Sequence, residues 1–244
     1  MTTVGLLSPG HTAEDEFPRL EVLLDSDIRL PAVTLDAPVG FTADVDGGEP
    51  LLGPPGRLAP ALEELRLAGA DSVVWTCDGD GFGAGWARTH EALRALARTA
   101  GVPASNTAVG FVNAARKLGA ERVAVAATYP AEVTEGFTEF LRAGGVEVVG
   151  TASAGVRSAA DTARWGGTEV LDLARSADRP EAGAVLLPDS ALHTVAHLPE
   201  LEEALGKPVL TASQVSVWEG LRLTDRRAWA PKLGTLFARP PYAS

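Results

Sequence analysis

Cysteine is nearly absent. The 244 residues contain one, Cys77, which excludes an intrachain disulfide and a zinc site built on several thiolates. Positive charge is also scarce. Lys and Arg number 21 against 32 Asp and Glu, a net charge of −11, so no basic face for nucleic-acid phosphate is expected. No apolar run approaches the ~18 residues that would span a bilayer. The opening Met1-Thr2-Thr3-Val4-Gly5 has neither the basic nor the long apolar region of a secretory leader. No membrane partner is expected, and a free thiol points to the reduced cytoplasm. Of the four histidines, His11, His90, His193 and His197, the last two are spaced i, i+4. No acidic residue lies between them as in zinc-protease helices, so two surface histidines and no metal are expected.

What is present is an ordinary globular balance, 45% hydrophobic and 22% charged, on a length that fits one large domain or two halves of ~100–150 residues. Short apolar runs at 4–7, 72–75, 122–127 and 184–187 each stop at turn residues and read as strands. Helical spacing of apolar residues lies between them, at 60–68, 89–99 and 131–143. Near-continuous apolar strands alternating with helices predict parallel sheets covered on both faces. The second part repeats the first. The segment starting at Gly5 corresponds to that at Val125, Ala70–Asp78 corresponds to Gly183–Ser190, and 101–107 corresponds to 206–213, each of the last pair running into a helix. The predicted architecture is α/β, with two pseudo-symmetric Rossmann-like halves. Each is a parallel sheet flanked by helices, with residues 1–118 in the first and 119–244 in the second. The C-terminal helix is expected to pack back on the first half.

Ligands of open parallel sheets sit beyond the carboxyl ends of the strands. Two facing halves would therefore bring Ser8-Pro9-Gly10, Cys77-Asp78-Gly79, Tyr129 and Asp189-Ser190 to one cleft. A thiol and a carboxylate on opposite faces of one carbon suit proton removal and delivery, and the thiol also suits nucleophilic attack. Blander readings stand beside these. Cys77 also fits a small buried hydrophobe, Asp189 a helix N-cap ahead of residues 191–197, and Tyr129 a core aromatic. Asp78 and Asp80 fit a turn. His11 is either a loop residue or a ligand contact. Asp15-Glu16 and the acidic residues within 200–203 read as solvated helix faces. Residues 44–55, rich in Gly and Pro, read as a lid.

Several of these segments resemble a known family. Val4-Gly5-Leu6-Leu7-Ser8-Pro9 with Glu16-Phe17-Pro18, Trp75-Thr76-Cys77-Asp78-Gly79-Asp80-Gly81-Phe82, Ala126-Ala127-Thr128-Tyr129, and Gln214 with Trp218 are similar to motifs of the aspartate/glutamate racemase superfamily. Within it they resemble the branch of maleate cis–trans isomerase and arylmalonate decarboxylase. The resemblance implies an active site between two halves, no cofactor, a small-molecule substrate and a homo-oligomer. It implies Cys77 and Asp189 as catalytic residues, with Asp189 standing where relatives have a second cysteine. Pro9, Gly10, His11, Asp78, Gly79, Tyr129, Ser190 and Gln214 are the implied substrate-binding residues, Asp78 and Gly79 replacing carboxylate-gripping hydroxyls. The expected activity is cofactor-independent cis–trans isomerisation or racemisation of a small carboxylic or amino acid. Decarboxylation of a malonate-type acid and non-catalytic ligand binding are the alternatives.

Overall fold

The computed structural model describes residues 1–10, 12–35, 55–76 and 81–238. The expected lid at 44–55 lies outside the described residues, except that Pro55 opens a helix. The first sheet contains β1 (Thr2–Ser8), β2 (Ile28–Arg29), β3 (Ala32–Thr34), β4 (Ser72–Trp75) and β5 (Ala104–Asn106), in the order β2-β1-β4-β5 with β3 also on β1. β2 and β3 take successive stretches of the same edge of β1. Pro31, which has no N–H to give, lies in the break between them, while its carbonyl still accepts from Leu6 N–H at 2.8 Å. The second sheet contains β6 (Arg122–Ala127), β7 (Glu147–Ser153), β8 (Ala184–Leu187) and β9 (Val209–Thr211), in the order β7-β6-β8-β9. Every pairing among these strands is parallel. Each sheet thus carries its first strand inside, its next on one edge, and the third and fourth on the other side.

The helices follow from the apolar spacing and from their ends. They are α1 (Glu16–Leu24), α2 (Pro55–Leu67), α3 (Trp86–Ala100), α4 (Thr107–Leu118), α5 (Ala131–Ala143), α6 (Ala159–Thr162), α7 (Gly167–Ala177), α8 (Leu198–Leu205) and α9 (Ala212–Leu223). Asn106 caps α4 by accepting from Val109 N–H at 2.9 Å, which satisfies a donor the helix itself leaves open. β4 and β8 are buried along their whole length, as strands covered on both faces must be. Along β6 the faces alternate. Val123, Val125 and Ala127 join the large core shared with the first half, and Ala124 and Ala126 join a smaller cluster under α7.

The two halves are fastened by α4 and α9. Thr107 and Ser216 share a hydroxyl bond of 2.7 Å between the helices, and α9 also lies against β4 and β5. Two glycines permit this approach. A methyl group on Gly110 would stand 2.9 Å from Val215 Cγ1, and one on Gly220 would stand 2.2 Å from Val4 Cγ1. One expected helix is absent. Residues 191–197 form turns, and α8 starts only at Leu198. The amides of Thr194 and Val195 are engaged elsewhere, by a carboxylate from the first half, and Pro199 has the fixed φ that suits a helix start.

Candidate active site

The strand ends converge on Asp189. It follows β8 after Pro188 and is 1% exposed. Its Oδ1 accepts from Ala191 N–H at 2.8 Å. Its Oδ2 accepts from the hydroxyl of Thr128, at the end of β6, and from that of Thr162, in α6, at 3.3 Å. Both threonines are fully buried. A buried carboxylate needs such donors, because an unsatisfied one is costly. The sequence reading had no place for Thr162; α6 is a single turn without periodicity, and its contact with Asp189 arises only in the folded chain. Tyr129 is fully buried and its hydroxyl donates to Pro188 O at 3.0 Å. Its ring lies 6.3 Å from that of Phe82 in the first half. Tyr129 therefore braces the backbone just ahead of Asp189.

The first half reaches the same place through the segment after β1. Ala13 N–H donates to Ser190 O at 2.8 Å. Pro9 and Gly10 lie in this turn, where Gly10 has φ 86°, a left-handed conformation that favours glycine. Gly10 N–H donates to Ser8 Oγ at 3.2 Å. The Ser8 hydroxyl also contacts Thr12 Oγ1 at 2.8 Å and donates to Glu14. Thr34 Oγ1 reaches both Glu14 oxygens at 3.1 Å.

Glu16 is a correction to the reading of Asp15-Glu16 as a solvated pair. It is 4% exposed, and its Oε1 accepts from Thr194 N–H at 2.6 Å and Val195 N–H at 2.7 Å. Burial raises its pKa, opposed by the Ser213 hydroxyl, the Val195 and Thr194 amides and His193. Asp15 is exposed but meets His193 Nε2 at 2.9 Å. Glu202, within the other acidic stretch, likewise turns inward and accepts from Val209 N–H at 3.1 Å and from Thr235. His193 and His197 share no helix, and no metal-binding group of His, Cys, Asp or Glu occurs among the described residues.

Cys77, Asp78, Gly79, Asp80 and His11 lie outside the described residues. The residues on either side of 77–80 are fixed. Thr76 bonds Leu7 O through its N–H at 2.9 Å and its hydroxyl at 3.1 Å. Gly81 O accepts from Asn106 Nδ2 at 3.0 Å and Thr89 Oγ1 at 3.2 Å. Ser190 is 4% exposed. Gln214 is fully buried; its Oε1 accepts from Thr211 N–H at 3.2 Å and its amide donates to Leu233 O at 2.6 Å. It thus closes the start of α9 and anchors the segment that follows the helix.

Two repeated parallel sheets flanked by helices, with acid, hydroxyls and a tyrosine gathered where strands end, define an α/β protein of two similar layers. The family model for arylmalonate decarboxylase matches residues 56–237, well over half of the chain, and the chain belongs to that family. It is 32% identical over 146 residues to an arylmalonate decarboxylase of Bordetella bronchiseptica, a match covering 59% of this chain and 61% of the relative. It is 27% identical over 190 residues to a maleate isomerase of Geobacillus stearothermophilus, covering 75% of this chain and 74% of that one. The crystal structure of a double mutant of arylmalonate decarboxylase in liganded form superposes with a TM-score of 0.80 at 25% identity, over 98% of this chain and 99% of that one.

Proposed function

We propose that the chain is a cofactor-independent isomerase acting on a small carboxylic or amino acid, with Cys77 and Asp189 on opposite sides of the substrate. The place of Asp189 carries the reading: a buried carboxylate held by hydroxyls and an amide where the two halves meet. β4 and β8 hold the same position in their sheets. Cys77 comes two residues after β4, and Asp189 two residues after β8. One thiol and one carboxylate thus answer each other across the repeat. In racemisation one group takes the α-proton from one face and the other returns a proton to the opposite face. In cis–trans isomerisation the Cys77 thiolate adds to one olefinic carbon and the electron pair moves onto its neighbour. The new single bond rotates, and return of the pair expels the thiolate. Tyr129, Ser190 and the Pro9–Gly10 turn orient the substrate, together with His11, Asp78 and Gly79. Gln214 serves by holding the start of α9. The relative named maleate isomerase supports this activity.

The family model and the 32% identical relative support a second reading, decarboxylation of a malonate-type acid. The purified protein is incubated in deuterium oxide with maleate, with single enantiomers of amino acids and with phenylmalonate, followed by proton NMR and carbon dioxide release. Fumarate formation or α-deuteration with inversion, lost in Cys77→Ala, is expected. Turnover unchanged in Cys77→Ala overturns the reading, and carbon dioxide release from phenylmalonate alone replaces it with the second. A reduced cytoplasmic setting and a homo-oligomer belong to the same proposal, the latter checked by light scattering.

A further inference from the structure

α4 and α9 begin at the site-side ends of β5 and β9. Twelve residues on, at ~1.5 Å per residue, their far ends lie about 18 Å from the strand ends. Between those far ends and the segment after α9 is a cavity of about 770 Å³. Its lining has a marked charge. Arg116, Lys117, Arg222, Arg226 and Arg227 surround it, with Asp225 as the acid among its lining residues. Five of the 21 basic residues of a chain with net charge −11 are thus gathered at one hollow. Of its apolar lining residues, Trp218 is half-buried, while Leu221 and Phe237 are nearly fully buried.

Helix ends explain part of this gathering. Arg116, Lys117 and Arg222 stand in or near last turns, where cations offset the helix dipole. That account does not reach Arg226 and Arg227, which come after the helix. Asp225 takes φ 53°, left-handed and unusual for a residue other than glycine, and the turn it makes is followed by these two arginines on the same cavity. Internal partners neutralise only some of the charge. Glu219 takes Arg222 at 2.7 and 2.8 Å, and Asp27 takes Arg226 at 2.5 Å. Arg116 donates to a carbonyl, that of Gly144. Lys117 has no ion pair among the described residues, and Arg226 Nε is buried without a hydrogen-bond partner.

We infer that this cavity is a second ligand site, for an organic anion with a flat apolar body. The phosphate or carboxylate is held by Arg116 and Lys117, and the body lies on Trp218. The site is separate from the strand-end cleft and does not depend on which reaction runs there.

The probes are phenyl phosphate, benzoate, inorganic phosphate and uncharged benzyl alcohol, titrated into the full chain by calorimetry and tryptophan fluorescence. Phenyl phosphate or benzoate is expected to bind at one per chain, at least tenfold more tightly than benzyl alcohol or inorganic phosphate. The tighter of the two identifies the anionic group. Lys117→Glu, at an exposed position, and Arg116→Gln/Lys117→Gln are expected to weaken binding at least tenfold, with circular dichroism unchanged and saturating maleate without effect. Absence of binding, equal binding to wild type and Lys117→Glu, or displacement by maleate overturns the inference.

Discussion

Among the described residues, Asp189 accepts from Thr128 after β6, from Thr162 in α6 and from the backbone N–H of Ala191. If it moves a proton, Asp189→Asn should lower kcat by ~10²–10⁴-fold, the range of general acid–base catalysis. Thr162→Val keeps the volume and removes one donor. It should lower kcat by up to about 100-fold through misplacement while KM stays near its value, with circular dichroism and the urea midpoint showing that the fraction of folded enzyme is unchanged. Both are read from initial rates on the substrate found active. Glu16 makes a different kind of prediction. Both amides it serves bond Oε1. Glu16→Gln therefore retains an acceptor for both. Glu16→Ala leaves two buried donors open, at about 1–3 kcal/mol each. Because burial raises its folded pKa above the ordinary 4.5, the native state holds the proton more firmly than the unfolded one. The resulting stability is full below the unfolded pKa and is lost as pH rises through the folded value. Urea melts across pH 4 to 8 should show Glu16→Gln gaining on wild type as pH rises. The strand-end positions of Asp189 and Tyr129 were legible because apolar runs stop at Pro188-Asp189-Ser190 and at Thr128-Tyr129-Pro130. The burial of Glu16 was not, since its partners lie 178 and 179 residues further along the chain.

Among the described elements, α9 is packed on several sides. It touches α4, β4, β5 and β1, and Ser72 Oγ donates to Gly220 O at 3.0 Å. A methyl group at Gly220 would overlap Val4. Gly220→Ala should therefore cost about 1–3 kcal/mol by overpacking, seen as a lower urea midpoint with unchanged slope. Glu219, fully buried on the same helix, gathers Ser105 at 2.7 Å, Asn113 at 3.1 and 3.2 Å, and the Arg222 guanidinium. Strands and long helices were readable from their apolar patterns. The turn at 191–197 was not, because a helix-compatible sequence there gives its amides to Glu16 instead. Nor did sequence spacing reveal Glu202, whose carboxylate is used by β9 and Thr235.

At the scale of the whole molecule, one core runs through both sheets: Val4, Leu6 and Val73 of the first and Val125, Leu186 and Leu210 of the second belong to a single cluster. The halves should therefore unfold together. Far-ultraviolet circular dichroism and tryptophan fluorescence are expected to give coincident urea transitions, and separated midpoints would contradict this. The repeat was visible in the sequence because strand ends recur in order, and it foretold a meeting of halves. It did not foretell how tightly they are tied. The bond from Ala13 to Ser190 O crosses between the halves beside Asp189, with the Glu16 contacts a few residues away. A jaw hinged far from its teeth opens at the teeth; here the two parts are riveted there. Parting the halves at this end would tear a main-chain bond and strip two amides from their carboxylate, so the two parts are expected to stay together where their strands end.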